Sequence, residues 1–528
     1  MMDGDIQSFP LTLNAILDHA AKWHPRTEVA TARGDGTISR IGYAGLRARS
    51  LRVSRILEGF GTHVGDRVAT LAWNSQAHVE VWYAIMGMGA VCHTLNPRLT
   101  SVDLTAMLDQ SGARILIASA DLLPLARQLA TKAAIIERIL VIDDDAAEFP
   151  AGPVRIDALE PMIPNADEGF RWGGFDETAP SGLCFTSGST GAPKGVTYTH
   201  RGNFLHTLRL LQADVLGTTS ADAVLPVVPM FHASAWGFPF AVPASGGKLV
   251  LPGRHTDGAS LAKLIASEEV TVAVGVPTVW LGLCEHMEAV GGRLPSLKRI
   301  ISGGAALPPA LMKRMEEQLG VIVQTSWGMT ELSPVGTFGV LSDPARDAHI
   351  SGRPSIGIDL MVADESGMPL PEQRNQEGRL HVRGGAVIER YFGQTAAATD
   401  EDGWFDTGDL ARIDDRGNLR ITGRAKDLIK SGGEWINPSE IEAVVNALPQ
   451  VSLAAVIGRS DLKWGERPIL VVEMRDDQDV SDEQLLAALK GRVASWWVPD
   501  AVIRLPVMPL AATGKIDKIR LRALYREA

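Results

Sequence analysis

Three observations in the 528-residue sequence predict an α/β fold: helical and strand-like segments alternate in two successive blocks, short strands with turn signals follow, and a further mixed stretch closes the chain. The expected architecture is a large N-terminal domain, made of two α/β subdomains plus a β-rich subdomain, followed by a small α+β C-terminal domain. The length suits several units, at about 150 residues per domain. From Thr12 to about Glu177, helical patterns (Leu13 to Ala21, Tyr43 to Phe60, Ala77 to Met88, Ser101 to Ser111) alternate with apolar runs beginning at Arg67, Arg114 and Arg138. Such alternation indicates layered, partly parallel sheets. It recurs with strands near Ala223, Lys248 and Val270 and helices at Ser260 to Glu268, Thr278 to Ala289 and Pro308 to Leu319. Beyond Gly352, turn signals such as Asp364-Glu-Ser-Gly and Asp415-Arg-Gly-Asn separate short antiparallel strands. After Gly423 a new unit is expected, with a helix from Pro438 to Ala447, strands Leu453 to Ile457 and Arg467 to Met474, and a helix from Asp482 to Arg492.

Composition removes several function classes. With 45% hydrophobic and 21% charged residues, the chain is neither disordered nor fibrous. Its opening residues lack the basic start and apolar stretch of a secretory signal, and charge or glycine breaks every apolar run within a bilayer's width. No transmembrane segment and a cytoplasmic location are therefore expected. A net charge of −11 argues against a nucleic-acid partner. Cys92, Cys184 and Cys284 are few and far apart, so they read as core residues rather than disulfide partners or metal ligands.

The densest chemical signal is Thr186-Ser-Gly-Ser-Thr-Gly-Ala-Pro-Lys-Gly195, with three glycines and four hydroxyl residues in ten positions. Backbone N–H groups and hydroxyls of such a loop can face phosphate oxygens while Lys194 supplies positive charge. It is not a Walker loop, because Pro193 replaces the glycine before the lysine, and the G-x-S-x-G elbow of hydrolases is missing from the sequence. A flexible polar linker is the plain alternative reading.

Taken with its companions, the loop resembles a family. Thr186 to Gly195, Trp327-Gly-Met-Thr-Glu331, Gly403-Trp-Phe-Asp-Thr-Gly-Asp409, Gly423-Arg-Ala-Lys-Asp-Leu-Ile-Lys-Ser-Gly-Gly-Glu434 and Thr513-Gly-Lys515 look, in order and spacing, like the acyl-CoA synthetase branch of the adenylate-forming enzymes. The resemblance implies ATP, Mg2+ and coenzyme A as co-substrates and cofactor. A carboxylate would first form an acyl-adenylate and pyrophosphate, and the coenzyme A thiol would then displace AMP. Lys515 matches the lysine bridging the acyl carboxylate and the α-phosphate; Glu331 and Thr186 match the pair that holds the metal. Nucleotide contacts are implied for Thr186, Ser187, Gly188, Ser189, Thr190, Gly191, Lys194, Gly303, Gly304, Ala305, Thr325, Ser326, Trp327, Gly328, Met329, Thr330, Asp409, Arg424 and Lys430. Among these, Asp409 would accept from the ribose hydroxyls and Trp327 would stack on adenine. The resemblance further implies a domain division at 1–423, 424–430 and 431–528, with Lys426 as the hinge of a mobile C-terminal domain. Gly432, Gly433, Glu434 and Trp435 would then face the cleft during thioester formation.

Phe231-His-Ala-Ser-Ala-Trp-Gly237 speaks to the acid. Amino-acid-activating relatives place an aspartate after this phenylalanine; His232 stands there instead, and an uncompensated ammonium would be costly to bury. His232 and Trp236, with Gly237 and Gly304, would form the acyl pocket, Trp236 resembling the gate tryptophan of certain fatty acyl-CoA synthetases. The expected substrate is an unbranched apolar acid: a short- or medium-chain fatty acid, a thioether acid like 3-methylmercaptopropionate, or a long-chain acid. An aryl-acid ligase of the same superfamily is the alternative, and a non-catalytic nucleotide-binding protein a further one. The resemblance also implies a homodimer.

Overall fold

The computed structural model describes residues 6–525 apart from 144–148, 150–151, 167–168, 187–192, 344–345, 433, 476–479 and 512–514. Four sheets organise the chain. The first has seven strands, in the order Arg155–Ala158, Arg138–Ile142, Ile115–Ser119, Arg67–Leu71, Val91–Thr94, Pro180–Thr186 and Lys194–Thr199. All neighbours are parallel except the last pair. Helices cover both faces, so strands such as Ile115–Ser119 are buried along their whole length and read as unbroken apolar runs.

The second sheet has nine strands, with Val272–Gly275 at its centre and Ala223–Pro226 next to it, between Val272–Gly275 and Lys248–Leu251. Parallel pairing continues from Val272–Gly275 to Arg299–Ser302 and Ile322–Gly328. One feature departs from two strictly sequential subdomains. Glu28–Ala32 and Ile38–Gly42, early in the chain, join this second sheet through parallel pairing of Val29 with Leu249. The first helix, Asn14–Trp23, precedes them, and Leu13, Leu17 and Tyr43 share one core with Phe238 and Phe240.

The third sheet is an antiparallel meander of Ile358–Ala363, Glu377–Gly384, Phe405–Ile413 and Leu419–Arg424. The last sheet, in the C-terminal region, contains the long hairpin of Val451–Asp461 and Gly465–Met474. Here the helix expected from Asp482 to Arg492 stops at Ala487, although Ser481 and Gln484 form a full capping box at its start. A helix at Lys518–Tyr525 was not anticipated. It packs Leu521 against the outer face of that hairpin.

In both parallel sheets the chain leaves the carboxyl ends of the strands toward one cavity, the place where open α/β sheets bind ligands. Asn96 and Arg98 follow Val91–Thr94, Phe231–Gly237 follows Ala223–Pro226, Gly303 follows Arg299–Ser302, and Met329–Glu331 follows Ile322–Gly328.

Candidate active site

The cavity measures about 1080 Å³. Of the sequence-predicted residues it gathers Thr186, Lys194, His232, Trp236, Gly304, Ser326, Trp327, Gly328, Met329, Thr330, Glu331, Arg424, Lys426 and Lys515. Ser187 to Gly191 and Gly433 lie outside the described residues. Thr186 and Lys194 are register partners at the base of the loop, so the antiparallel pair that ends there holds both against the cavity.

Lys194 is further placed by Tyr391, whose ring centroid lies 4.9 Å from the ammonium. The same tyrosine donates its hydroxyl to Glu331 Oε1 at 2.9 Å. Burial raises the Glu331 carboxyl above its usual range, while its own backbone N–H, Tyr391, Arg424 and Lys194 pull the other way. Tyr391 belongs to no motif recognised in the sequence, and nothing short of the fold brings it to Glu331.

Asp409 is nearly inaccessible, yet both its oxygens are held: Oδ2 accepts from Trp327 Nε1 at 3.0 Å, and Oδ1 meets Arg424 Nε at 2.6 Å. Burial raises its pKa, opposed first by Arg424. The Trp327 ring lies over Gly336, where an added Cβ would come within 2.6 Å of Cζ3. Carboxylate and indole therefore fix one another.

Lys515 is accessible within the cavity, although protein surrounds it on the remaining sides. Burial and then the Arg424 charge bring its pKa down to about 8, against the opposite pull of Asp409. His232 shares this wall. Burial and the nearby Lys515 charge lower it to about 4, so it is neutral at neutral pH. Lys426 is likewise lowered by burial; its neighbour Asp427 is clasped by Arg522 at 2.7 Å from the unanticipated C-terminal helix.

On the apolar side, Trp236 lies against two glycines. A Cβ at Gly303 would meet Ser326 Oγ at 2.3 Å and Trp236 Cη2 at 3.1 Å; one at Gly304, where φ is +76°, would meet Trp236 Cζ2 at 3.3 Å. The backbone carrying the indole is left-handed at five successive residues, with φ of 45°, 54°, 46°, 54° and 78° from Ala233 to Gly237. Behind this wall stands His206, whose Nε2 accepts from Val335 N at 3.2 Å.

Several predicted residues are off the cavity lining. Thr325 turns its hydroxyl to Ile350 O at 2.6 Å and faces a separate small pocket. Gly303, Gly237 and Asp409 are buried behind the lining residues, and Ala305 is exposed off the lining. Lys430 and Trp435 pair across a short hairpin away from the cleft, the ammonium 5.2 Å from the indole centroid, with Gly432 and Glu434 beside them. Gly432 is packed under Trp464, which a Cβ would approach to 2.6 Å.

Comparison with known proteins accords with this geometry. Residues 17–392 match the AMP-binding enzyme family and residues 440–515 its C-terminal domain. The chain is 39% identical to the 3-methylmercaptopropionyl-CoA ligase of Ruegeria lacuscaerulensis, over 100% of this chain and 99% of the relative. It is 38% identical to the medium-chain-fatty-acid–CoA ligase of Ectopseudomonas oleovorans, over 99% and 98%. Among solved structures, ATP-bound MatB from Rhodopseudomonas palustris superposes with a TM-score of 0.86 at 27% identity, covering 98% of this chain and 99% of that one. A fatty acyl-CoA synthetase of Mycobacterium tuberculosis gives 0.72 at 28% identity, covering 98% of each. The chain belongs to the AMP-binding enzyme family and, within it, to the acyl-CoA synthetases.

Proposed function

We propose that the protein joins an unbranched aliphatic acid to coenzyme A in two steps within this one cavity, consuming ATP. The observation that carries the reading is the convergence of Lys515, Lys194, Arg424 and Glu331 on one cavity, with the Asp409 carboxylate paired to Arg424 just behind its lining, facing an apolar wall of Phe231, Trp236, Gly304 and Val335. A carboxylate oxygen attacks the α-phosphorus, the bond to pyrophosphate breaks, and Lys515 neutralises charge on both reacting groups. Asp409 and Arg424 hold the ribose, and Lys194 the outgoing phosphates. Coenzyme A sulfur then attacks the acyl carbon and AMP leaves.

Thr186 and Glu331 offer hard oxygen ligands suited to magnesium. Among the described residues, His, Cys, Asp and Glu form no group of three or more arranged to hold a metal. That donor set fits an ion carried mostly by the nucleotide's phosphates, where it would neutralise charge as the phosphoryl bond changes partners.

Residues 1–423 would form the body, 424–430 the hinge and 431–528 the moving domain. The Arg522–Asp427 clasp supports a pivot just before it, at Lys426. The hairpin of Lys430 and Trp435, now outside the cleft, would enter it after adenylation. The acid is of the short- or medium-chain fatty or 3-methylmercaptopropionate type. The protein would act in the cytoplasm as a homodimer; no described helix is long and apolar enough to cross a membrane. Pyrophosphate release across a panel of fatty, thioether and aryl acids, with and without coenzyme A, tests the reading. Release with benzoates or cinnamates alone would overturn it.

A further inference from the structure

Asp409 is 2% exposed and has one protein donor on each carboxylate oxygen. Trp327 Nε1 donates to Oδ2 at 3.0 Å, and Arg424 Nε meets Oδ1 at 2.6 Å. These two holders differ in rigidity. The Arg424 side chain is 40% exposed, whereas Trp327 is 8% exposed and belongs to one apolar cluster with Tyr198, Leu332 and Phe405. The Asp409 backbone N–H donates to Thr407 Oγ1 at 3.1 Å, which fixes the main chain as well. The indole is therefore the rigid partner that decides how the carboxylate is turned.

Local backbone features aim that indole. Ile322–Gly328 and Val335–Phe338 pair antiparallel, and their register shifts after Trp327, leaving Gly336 as an extra residue. Bulges of this kind re-aim a side chain. The six-membered ring lies over Gly336, where a Cβ would come within 2.6 Å of Cζ3 and 2.8 Å of Cε3, so only glycine leaves it room. The N–H edge then reaches Phe405–Ile413 of the third sheet, where Asp409 stands. A phenyl ring in the same place would still pack on Gly336 but would offer Asp409 no donor.

An ionised carboxylate has about four acceptor sites. With one site on each oxygen taken, one on each remains, an arrangement suited to two neighbouring hydroxyls rather than a single one. Burial raises the Asp409 pKa, while Arg424 first and then the Trp327 N–H pull it down, so both donors also help keep the group an acceptor.

We infer that Trp327 is a positioning residue for the Asp409 carboxylate, and that its N–H sets the selectivity for a nucleotide carrying both ribose hydroxyls. This role rests on the reading that Asp409 holds the ribose. The ring serves packing; the donor serves recognition of the sugar.

The test compares ATP with 2′-deoxy-ATP and 3′-deoxy-ATP in pyrophosphate release by the full-length protein and by Trp327→Phe, with octanoate as the acid. In the wild type each deoxy analogue should show a KM about tenfold above that of ATP, the scale of one hydrogen bond to a charged group. In Trp327→Phe that ratio should fall to about threefold or less, because KM for ATP rises. A packing or stacking role alone would raise all three KM values together and leave the ratio in place, which would overturn the inference. A lower KM for ATP would overturn it too, as the mark of an indole that competes with the ribose. Should Trp327→Phe not fold, 3-benzothienylalanine at position 327 reads the same ratio, since it keeps the bicyclic shape and puts sulfur where the N–H was. An unchanged ratio in the variants sinks only the role of the N–H. A wild type that takes the three nucleotides alike sinks the ribose reading with it, and release with no acid sinks the ligase reading.

Discussion

Lys515 gives the sharpest prediction. Its ammonium must be charged to neutralise a carboxylate meeting a polyphosphate, and its pKa in the free protein is about 8 rather than 10.5. The charged form is therefore nearly complete at pH 7, half present near pH 8, and falls about tenfold per pH unit beyond that. In adenylation, followed as pyrophosphate release without coenzyme A, kcat/KM reports the free enzyme and should decline above pH 8. Bound ATP adds negative charge beside the lysine, so the alkaline limb of kcat should lie at higher pH. Arg424→Met removes a repelling cation and frees Asp409 to attract, both of which raise the Lys515 pKa. The limb should then move upward by roughly one unit, the usual scale of such a neighbour's effect. A kcat/KM limb near pH 10 in the wild-type protein, or one that Arg424→Met leaves in place, would refute the argument.

Lys515→Ala should abolish most adenylation yet keep conversion of a supplied acyl-adenylate to thioester, read by chromatography of the two half-reactions. Equal loss of both would contradict the two-stage use of the C-terminal region. Tyr391→Phe removes the hydrogen bond to Glu331 but keeps the ring beside Lys194, so the magnesium concentration for half-maximal rate should rise several-fold with ATP binding little changed. Calorimetry with and without the metal checks this, and the lost bond is worth about 1 kcal/mol of stability. For Trp236→Ala, chain-length preference should change while ATP affinity is largely retained; an unaltered preference would make the indole a packing residue only.

The sequence was informative where chemistry depends on local residue order. Glycines that admit backbone or indole, as at Gly303 and Gly304, and carboxylates at strand ends, as at Glu331, sit in short motifs that can be read directly. Tyr391 could not be read this way, because its role depends on two partners 60 and 197 positions away that only the assembled sheets bring near. The pairing of Val29 with Leu249 was hidden for the same reason, since register across distant strands leaves no local signature. Lys430 and Trp435 are a different case: the resemblance puts the Trp435 face in the cleft only during thioester formation, the pair lies off the cavity lining in this structure, and local pattern does not say which side of a two-stranded hairpin meets the cleft.

The left-handed run from Ala233 to Gly237 bears on how the apolar wall works. Each non-glycine residue held there costs roughly 1–2 kcal/mol against right-handed backbone, so Ala233 to Trp236 together store roughly 4–8 kcal/mol. Opposing it is the burial of the Trp236 indole against Gly303 and Gly304, a contact on the order of 3–5 kcal/mol for a buried tryptophan. Two terms of opposite sign and similar size set the resting position. On the proposed reading of Trp236 as the gate of the acid pocket, a ligand whose preference for a displaced indole amounts to only a few kcal/mol would suffice to move the wall.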